Sequence, residues 1–187
     1  MRYVIVDLEA TCWEDVRGSP KMEIIEIGAV LIAGGGGPVV GEFSSFVRPV
    51  VEPVLSAFCK KLTSIRQADV DAAEPFWAVF PRFVEWVGKG PFVLCSWGAY
   101  DLNQFRQDCR RHGMALPAAF ERHVNLKTQF ARLRGIKSCG MAAALRVAGV
   151  PLEGTHHRAI DDARNIAKLA MGVLPRLEAE GAVPGGG

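Results

Sequence analysis

Hydrophobic and polar positions follow two rhythms in this chain, and the switch between them predicts its organisation. Residues 2–9 alternate, with Tyr, Val and Ile prominent, which is the pattern of a half-buried strand. Residues 22–33 predict a second strand, a glycine turn fills 34–37, and 39–47 predict a third. These three read as an antiparallel meander. The glycine run is not a phosphate loop, because no Gly-Lys-Ser/Thr follows it and no helix opens there. Helical spacing then takes over, at 53–62, at 64–71 behind a cap from Thr63 or Ser64, and at 75–87. Residues 92–95 predict a short buried strand, followed by helices at 100–112, 126–133, 140–148 and 159–177. The expected architecture is an α/β domain over 1–177, a small mixed sheet flanked by helices, with a flexible tail at 178–187.

Composition narrows the class. A chain of 187 residues, 49% of them hydrophobic, suits one folded domain with a full core. No apolar run approaches the roughly 18–20 residues of a membrane helix, so no membrane partner is expected. Asp7 and Glu9 interrupt the only early apolar run, which removes a signal-peptide pattern. Cys12, Cys59, Cys95, Cys109 and Cys139 lie far apart without metal-like spacing and are expected as reduced thiols in a cytoplasmic protein. The net charge of +2 excludes a whole-chain polyelectrolyte binder. Between Arg106 and Arg146, however, only Asp108 and Glu121 oppose a run of Arg and Lys that includes Arg110, Arg122, Lys127 and Lys137. That run is either a footprint for phosphates or a set of solvated helix faces.

Four acids are expected to point inward. On a strand, Asp7 and Glu9 share a face roughly 7 Å apart. With no Lys or Arg beside them, they sit at a solvated strand end or share a cation, and Mg²⁺ and Mn²⁺ favour carboxylate oxygen. Asp101 shares its helical face with Phe105 and Cys109 and follows the strand at 92–95, near the strand ends where α/β sheets gather ligands. The competing reading is an acid favoured by the helix macrodipole. In the last helix, Asp162 falls on the face of Ile166, Leu169 and Val173, and Asp161 on that of Asn165 and Lys168. His156 and His157 stand just upstream, and His157 is close enough to serve one site with Asp162 as an acid/base group.

In order, Asp7-x-Glu9, Asp101 and His157-x-Ala159-x-x-Asp162 resemble the signature of the DEDDh 3′→5′ exonucleases, which have the ribonuclease H-like fold. Asp7-Leu8-Glu9-Ala10-Thr11-Cys12, Glu23-Ile24-Ile25-Glu26-Ile27-Gly28 and Phe46-Val47-Arg48-Pro49 are similar to the branch holding the histone-mRNA 3′ exonuclease and the small-RNA-degrading exonucleases. Leu55-Ser56-x-Phe58-Cys59-x-x-Leu62-Thr63-x-Ile65 and Asp161-Asp162-Ala163-Arg164-Asn165-Ile166-Ala167 fit it too. Eukaryotic members carry an extra RNA-binding module ahead of the nuclease domain; without it here, the expectation is a stand-alone, bacterial-type member.

The resemblance implies a metal-dependent exonuclease acting on single-stranded RNA or DNA 3′ ends, RNA favoured, and releasing nucleoside 5′-monophosphates. It implies two divalent cations, Mg²⁺ or Mn²⁺, with Asp7 bridging them, Glu9 and Asp162 on the ion carrying the attacking water, and Asp101 helping to position the other. His157 would take the water's proton. The backbone of Leu8, Ala10 and Thr11 would lie against the terminal sugar, and Phe58 and Thr63 would contact the terminal base and ribose. The rivals are a DNA-directed proofreading or repair exonuclease, a catalytically silent nucleic-acid-binding protein on the same fold, and a phosphatase for free nucleotides. The sequence is silent on oligomeric state.

Overall fold

Strand β1 (Arg2–Ala10) sits at the centre of a five-stranded sheet. The computed structural model describes residues 1–14, 16 and 21–183. On one side β1 pairs antiparallel with β2 (Ile24–Ala33), which pairs antiparallel with β3 (Val39–Phe46), so the expected meander is the one observed. On the other side it pairs parallel with β4 (Phe92–Ser96), and β4 pairs parallel with β5 (His123–Asn125). The order is β3-β2-β1-β4-β5.

Alternation along β1 sends its side chains into two cores. Tyr3 and Ile5 face α5 (Leu126–Arg134), α6 (Met141–Ala148) and α7 (Ala159–Ala179). Val4, Val6 and Leu8 face α3 (Phe76–Val87) and α4 (Tyr100–Arg111). Asp7 and Glu9 continue the row of Tyr3 and Ile5, so the pleat points them toward α7. Opposite them in β2 stand Gly28 and Glu26. A Cβ on Gly28 would lie 2.1 Å from the carbonyl carbon of Ala159 and 2.2 Å from the nitrogen of Ile160. Only glycine lets the first turn of α7 rest on the sheet at that point. The helix is held there by a buried row that includes Ile166, Leu169 and Val173. Each such side chain contributes about 1.5–3 kcal/mol by burial, which opposes the cost of facing acids toward one another.

Several boundaries differ from those the sequence predicts. The helix expected at 53–62 is α1 (Ala57–Thr63), which starts late because the Ser56 hydroxyl accepts from the backbone N–H of Cys59 at 2.9 Å and so acts as the cap. The helix expected at 64–71 is α2 (Gln67–Asp71), entered at Arg66, whose backbone N–H and guanidinium both donate to the Asp69 carboxylate, rather than through a cap from Thr63 or Ser64. Ser64 instead closes α1 in the left-handed region, at φ 60°. Neither β5 nor the 3₁₀ turn at Ala118–Glu121 is predicted; each is too short to carry a period. The last helix runs to Ala179, beyond the expected boundary at 177, and Val183 packs into the core against α7. Of the tail expected at 178–187, residues 184–187 lie outside the described residues.

Candidate active site

Three elements bring acids to one pocket of about 320 Å³. Asp7 and Glu9 come from β1, Asp101 from the first turn of α4 and Asp162 from the first turn of α7. Leu8, His156 and His157 also line it, as do Trp97, Tyr100, Gly140 and Met141. Carboxylate oxygens of Asp7, Glu9 and Asp162 fall within 4.8 Å of one another. Asp101 stands beside them and accepts from the backbone N–H of Leu8 at 3.1 Å, which ties α4 to the C-terminal part of β1.

The electrostatics of this pocket are unfavourable as they stand. Burial, then the charges of Asp101, Glu9, Asp162 and Glu26, raises Asp7 well above the ordinary carboxylate range. Burial, then Asp162, Glu26 and Asp101, pushes Glu9 up to about 9. Asp101 is pushed up to about 6 by burial, against hydrogen bonds from Leu8 and Ser96 that favour its charged form. The other buried acids are satisfied. Glu23 accepts from the backbone N–H groups of Val50, Val51 and Glu52, and Asp108 from Gln104 and Arg111. Glu26 accepts from Arg158 and from the backbone of Ala159. Among the described residues, no hydrogen bond or ion pair reaches the carboxylate of Asp7 or Glu9. Carboxylate oxygens of Asp7, Glu9 and Asp162 that converge at one open pocket are the donor set that a hard divalent cation takes, so the residues present fit the metal ions implied by the sequence.

The loop before α7 carries the two histidines. A ring nitrogen of His156, Nδ1, lies 2.9 and 3.1 Å from the two carboxylate oxygens of Asp162. His157 donates its backbone N–H to Asp162 at 3.0 Å and stacks its ring on that of His156, with centroids 4.0 Å apart. His157 takes a left-handed φ of 66°, which turns the chain into the helix. Its imidazole is shifted below the ordinary histidine range by burial, then by His156, with Asp162 opposing. Helical phase separates the neighbouring acids: Asp162 is 4% exposed, whereas Asp161 accepts from the backbone of Thr155 and pairs with Arg164.

The residues expected at the terminal nucleotide lie in and beside the pocket, on and just after β1 and on the α1 segment that abuts its end. Leu8 lines the pocket, but Ala10, Thr11, Phe58 and Thr63 do not. The Thr11 hydroxyl accepts from the backbone of Glu23, and the fully buried Thr63 donates to Cys59 and accepts from Ile65. Both hydroxyls are thus committed to holding the chain. Phe58 is half-buried on α1, which abuts the end of β1 where the Cys59 thiol meets the carbonyl of Ala10.

The basic stretch divides. Arg106 pairs with Glu121, Arg111 with Asp108 and Arg132 with Glu180. Lys137 is exposed and precedes the pocket-lining Gly140 by three residues. Tyr100, Gly140 and Met141 join the pocket without having been predicted. Tyr100 could have been found from its place beside Asp101; the other two carry no signal in the sequence. Trp97 has a structural share as well, donating its indole N–H to Cys139 at 3.0 Å and packing on Phe130.

Comparison with known proteins matches residues 4–170 to the family described as Exonuclease (RNase_T). ERI1 exoribonuclease 2 of Danio rerio is 34% identical over 192 residues, which span 91% of this chain and 34% of that protein. The 3'-5' exonuclease Snipper of Drosophila melanogaster is 32% identical over 190 residues, spanning 89% of this chain and 67% of the relative. This chain therefore spans about a third of the length of the first relatives and two thirds of Snipper. The nuclease domain of 3'hExo, a DEDDh family member solved bound to rAMP, superposes with a TM-score of 0.86 at 26% identity, covering 97% of this chain and 93% of that one. The ribonuclease H-like architecture expected from the motifs is the architecture observed.

Proposed function

The chain belongs to the exonuclease (RNase_T) family, and from that premise we propose that it is a metal-dependent 3′→5′ exonuclease. Its substrates are single-stranded ends, RNA in preference to DNA, and its products nucleoside 5′-monophosphates. The observation that carries this reading is Glu9, a buried acid that no hydrogen bond reaches among the described residues, converging with Asp7 and Asp162 while the structural acids Glu23, Glu26 and Asp108 are all satisfied. Asp7, Glu9 and Asp162 would hold the cations, with Asp101 beside them. Two Mg²⁺ or Mn²⁺ ions would supply an activated water and shield the charge on the leaving 3′-oxygen. His157 would accept the proton of the attacking water; burial and the neighbouring His156 lower its pKa, which favours the neutral imidazole that a base must be. Leu8, held by Asp101, offers its backbone to the terminal sugar, and Ala10, Thr11, Phe58 and Thr63 shape the neighbouring wall.

Residues 1–177 would act as a single exonuclease domain. The five free cysteines support a cytoplasmic setting, and no helix among the described residues is long and apolar enough to cross a membrane. The test is a ladder of matched RNA and DNA oligonucleotides labelled at the 3′ or the 5′ end, with Mg²⁺, Mn²⁺ or EDTA. Stepwise shortening of the 5′-labelled strand, faster on RNA and lost in EDTA, is expected. Shortening of the 3′-labelled strand with the label retained, or full turnover in excess chelator, would end the reading.

A further inference from the structure

Asp162 belongs to two donor sets. Toward β1 it meets Asp7 and Glu9, an all-oxygen set; toward the loop it meets the rings of His156 and His157. In the second set, one ligand atom from each of the three residues lies within 4.8 Å of the others. His156 Nδ1 lies 2.9 and 3.1 Å from the Asp162 oxygens, a hydrogen-bonded pair that need open only by a few tenths of an ångström to admit an ion held at about 2.0–2.2 Å by each. Consecutive residues rarely present their rings side by side. Here the left-handed backbone at His157 and the 4.0 Å ring stack hold both imidazoles over the same carboxylate. His156 keeps 41% of its side chain exposed, so an ion can reach this set from solvent.

We propose that His156, His157 and Asp162 form a second cation site, selective for a transition metal of the zinc class, that competes with catalysis for Asp162. Two nitrogens and one oxygen suit Zn²⁺, which takes His and Asp in tetrahedral sites and leaves a fourth position for water. Mg²⁺ and Mn²⁺ favour the oxygen set on the other side. Sharing one carboxylate makes the two fillings antagonistic. Zinc on the histidine side removes the base His157 and withdraws Asp162 from the acids. The site is thus an inhibitory input built from a residue, His156, that the hydrolytic reaction does not use. The inhibition rests on the exonuclease reading; the binding does not.

The experiment uses the metal-stripped chain and titrates Zn²⁺ against a chromophoric chelator in excess Mg²⁺, for wild type, His156→Ala and Asp7→Asn, with thermal melts confirming that each variant folds. Wild type and Asp7→Asn should bind one Zn²⁺ alike. His156→Ala should bind it more weakly, by at least the roughly 10–100-fold that loss of an outer-shell partner costs a metal site. Added Zn²⁺ should inhibit Mg²⁺-supported turnover of wild type at concentrations that spare His156→Ala. Co²⁺ should give a tetrahedral visible spectrum that depends on His156. Zinc kept by His156→Ala, or lost in Asp7→Asn, would place the ion among the carboxylates and overturn the proposal. Zinc binding through His156 in a chain that cleaves no oligonucleotide would sink the exonuclease reading and leave this site standing. Turnover without His156-dependent zinc binding would do the reverse.

Discussion

Arg158 grips the buried carboxylate of Glu26 with two hydrogen bonds, Nε to Oε2 at 3.1 Å and Nη2 to Oε1 at 3.0 Å. Glu26 stands opposite Glu9 in the sheet, and Arg158 immediately precedes α7. The pair therefore clamps the start of the helix carrying Asp162 to the strand beside the acids, and Arg158 also lies over the ring of Phe46. Arg158→Met should leave Glu26 buried and unpaired. A cost of about 3 kcal/mol is expected, the low end for breaking a buried pair because Arg158 keeps some exposure. Denaturant melts measure it. Turnover should fall as well, although neither residue lines the pocket.

Gly28→Ala tests the contact between sheet and helix. The added methyl would meet backbone atoms of Ala159 and Ile160 at 2.1–2.3 Å, and backbone cannot swing aside as a side chain can. Overpacking of this kind costs about 1–3 kcal/mol. Because the displaced segment carries Asp162, the variant should lose metal affinity more than it loses stability. An unchanged melting temperature with unchanged metal binding would show that α7 does not rest on Gly28.

Asp7→Asn should abolish turnover yet stabilise the metal-free protein. Asp7 and Glu9 both have folded-state pKa values above their ordinary ones, so the folded chain binds more protons than the unfolded chain. The stability they contribute is complete below the unfolded carboxylate range, near pH 4–4.5, and is lost as pH rises through the folded values, which for Glu9 means toward about 9. In EDTA the melting temperature of wild type should therefore fall between about pH 6 and pH 9, and less so for Asp7→Asn. Near pH 8 the variant should melt higher, by about 2–4 °C for each kcal/mol of repulsion removed. A variant that melts lower than wild type at that pH would contradict the picture of mutually repelling acids.

Four neighbouring substitutions separate roles along the entry to α7. Asp162→Asn should remove detectable turnover, because it discharges a group shared by the acids and the histidines. Asp161→Asn should keep most of it, since Asp161 serves Thr155 and Arg164. His157→Ala should cost on the order of 10²–10⁴ in rate, the range for a general base, with substrate binding retained. His156→Ala should cost far less in Mg²⁺. A dead His156→Ala beside an active His157→Ala would exchange the two roles.

Lys137 is an exposed cation three residues before the pocket-lining Gly140, and among the described residues no ion pair includes it. If it meets the phosphate backbone, Lys137→Gln should weaken binding about equally for all sequences and lower the salt slope by about one. Arg106→Gln, already paired with Glu121, should change the slope less. Equal slopes for wild type and Lys137→Gln would return this lysine to the solvated surface.

What the sequence determines here is whatever depends on period and chemical type within one element. Alternation in β1 puts Asp7 and Glu9 on one face, and helical phase turns Asp162 inward, whereas Asp161 is only part-exposed and Asn165, expected on its solvated face, is buried. The order of the motifs was enough to name the family. Contacts between elements were decided only by the tertiary structure. The Glu23-to-Gly28 segment was legible as a motif, but not as a loop anchor at Glu23, a helix clamp at Glu26 and a gap at Gly28. Thr11 and Thr63 were legible as motif positions, but that their hydroxyls hold the backbone of Glu23, Cys59 and Ile65 was decided by packing. His156 read as the idle neighbour until the left-handed turn at His157 laid both rings over Asp162. A local pattern records which way a side chain leaves its own strand or helix. What it meets there depends on register, close approach and the path of distant segments, and these exist only once the chain has packed.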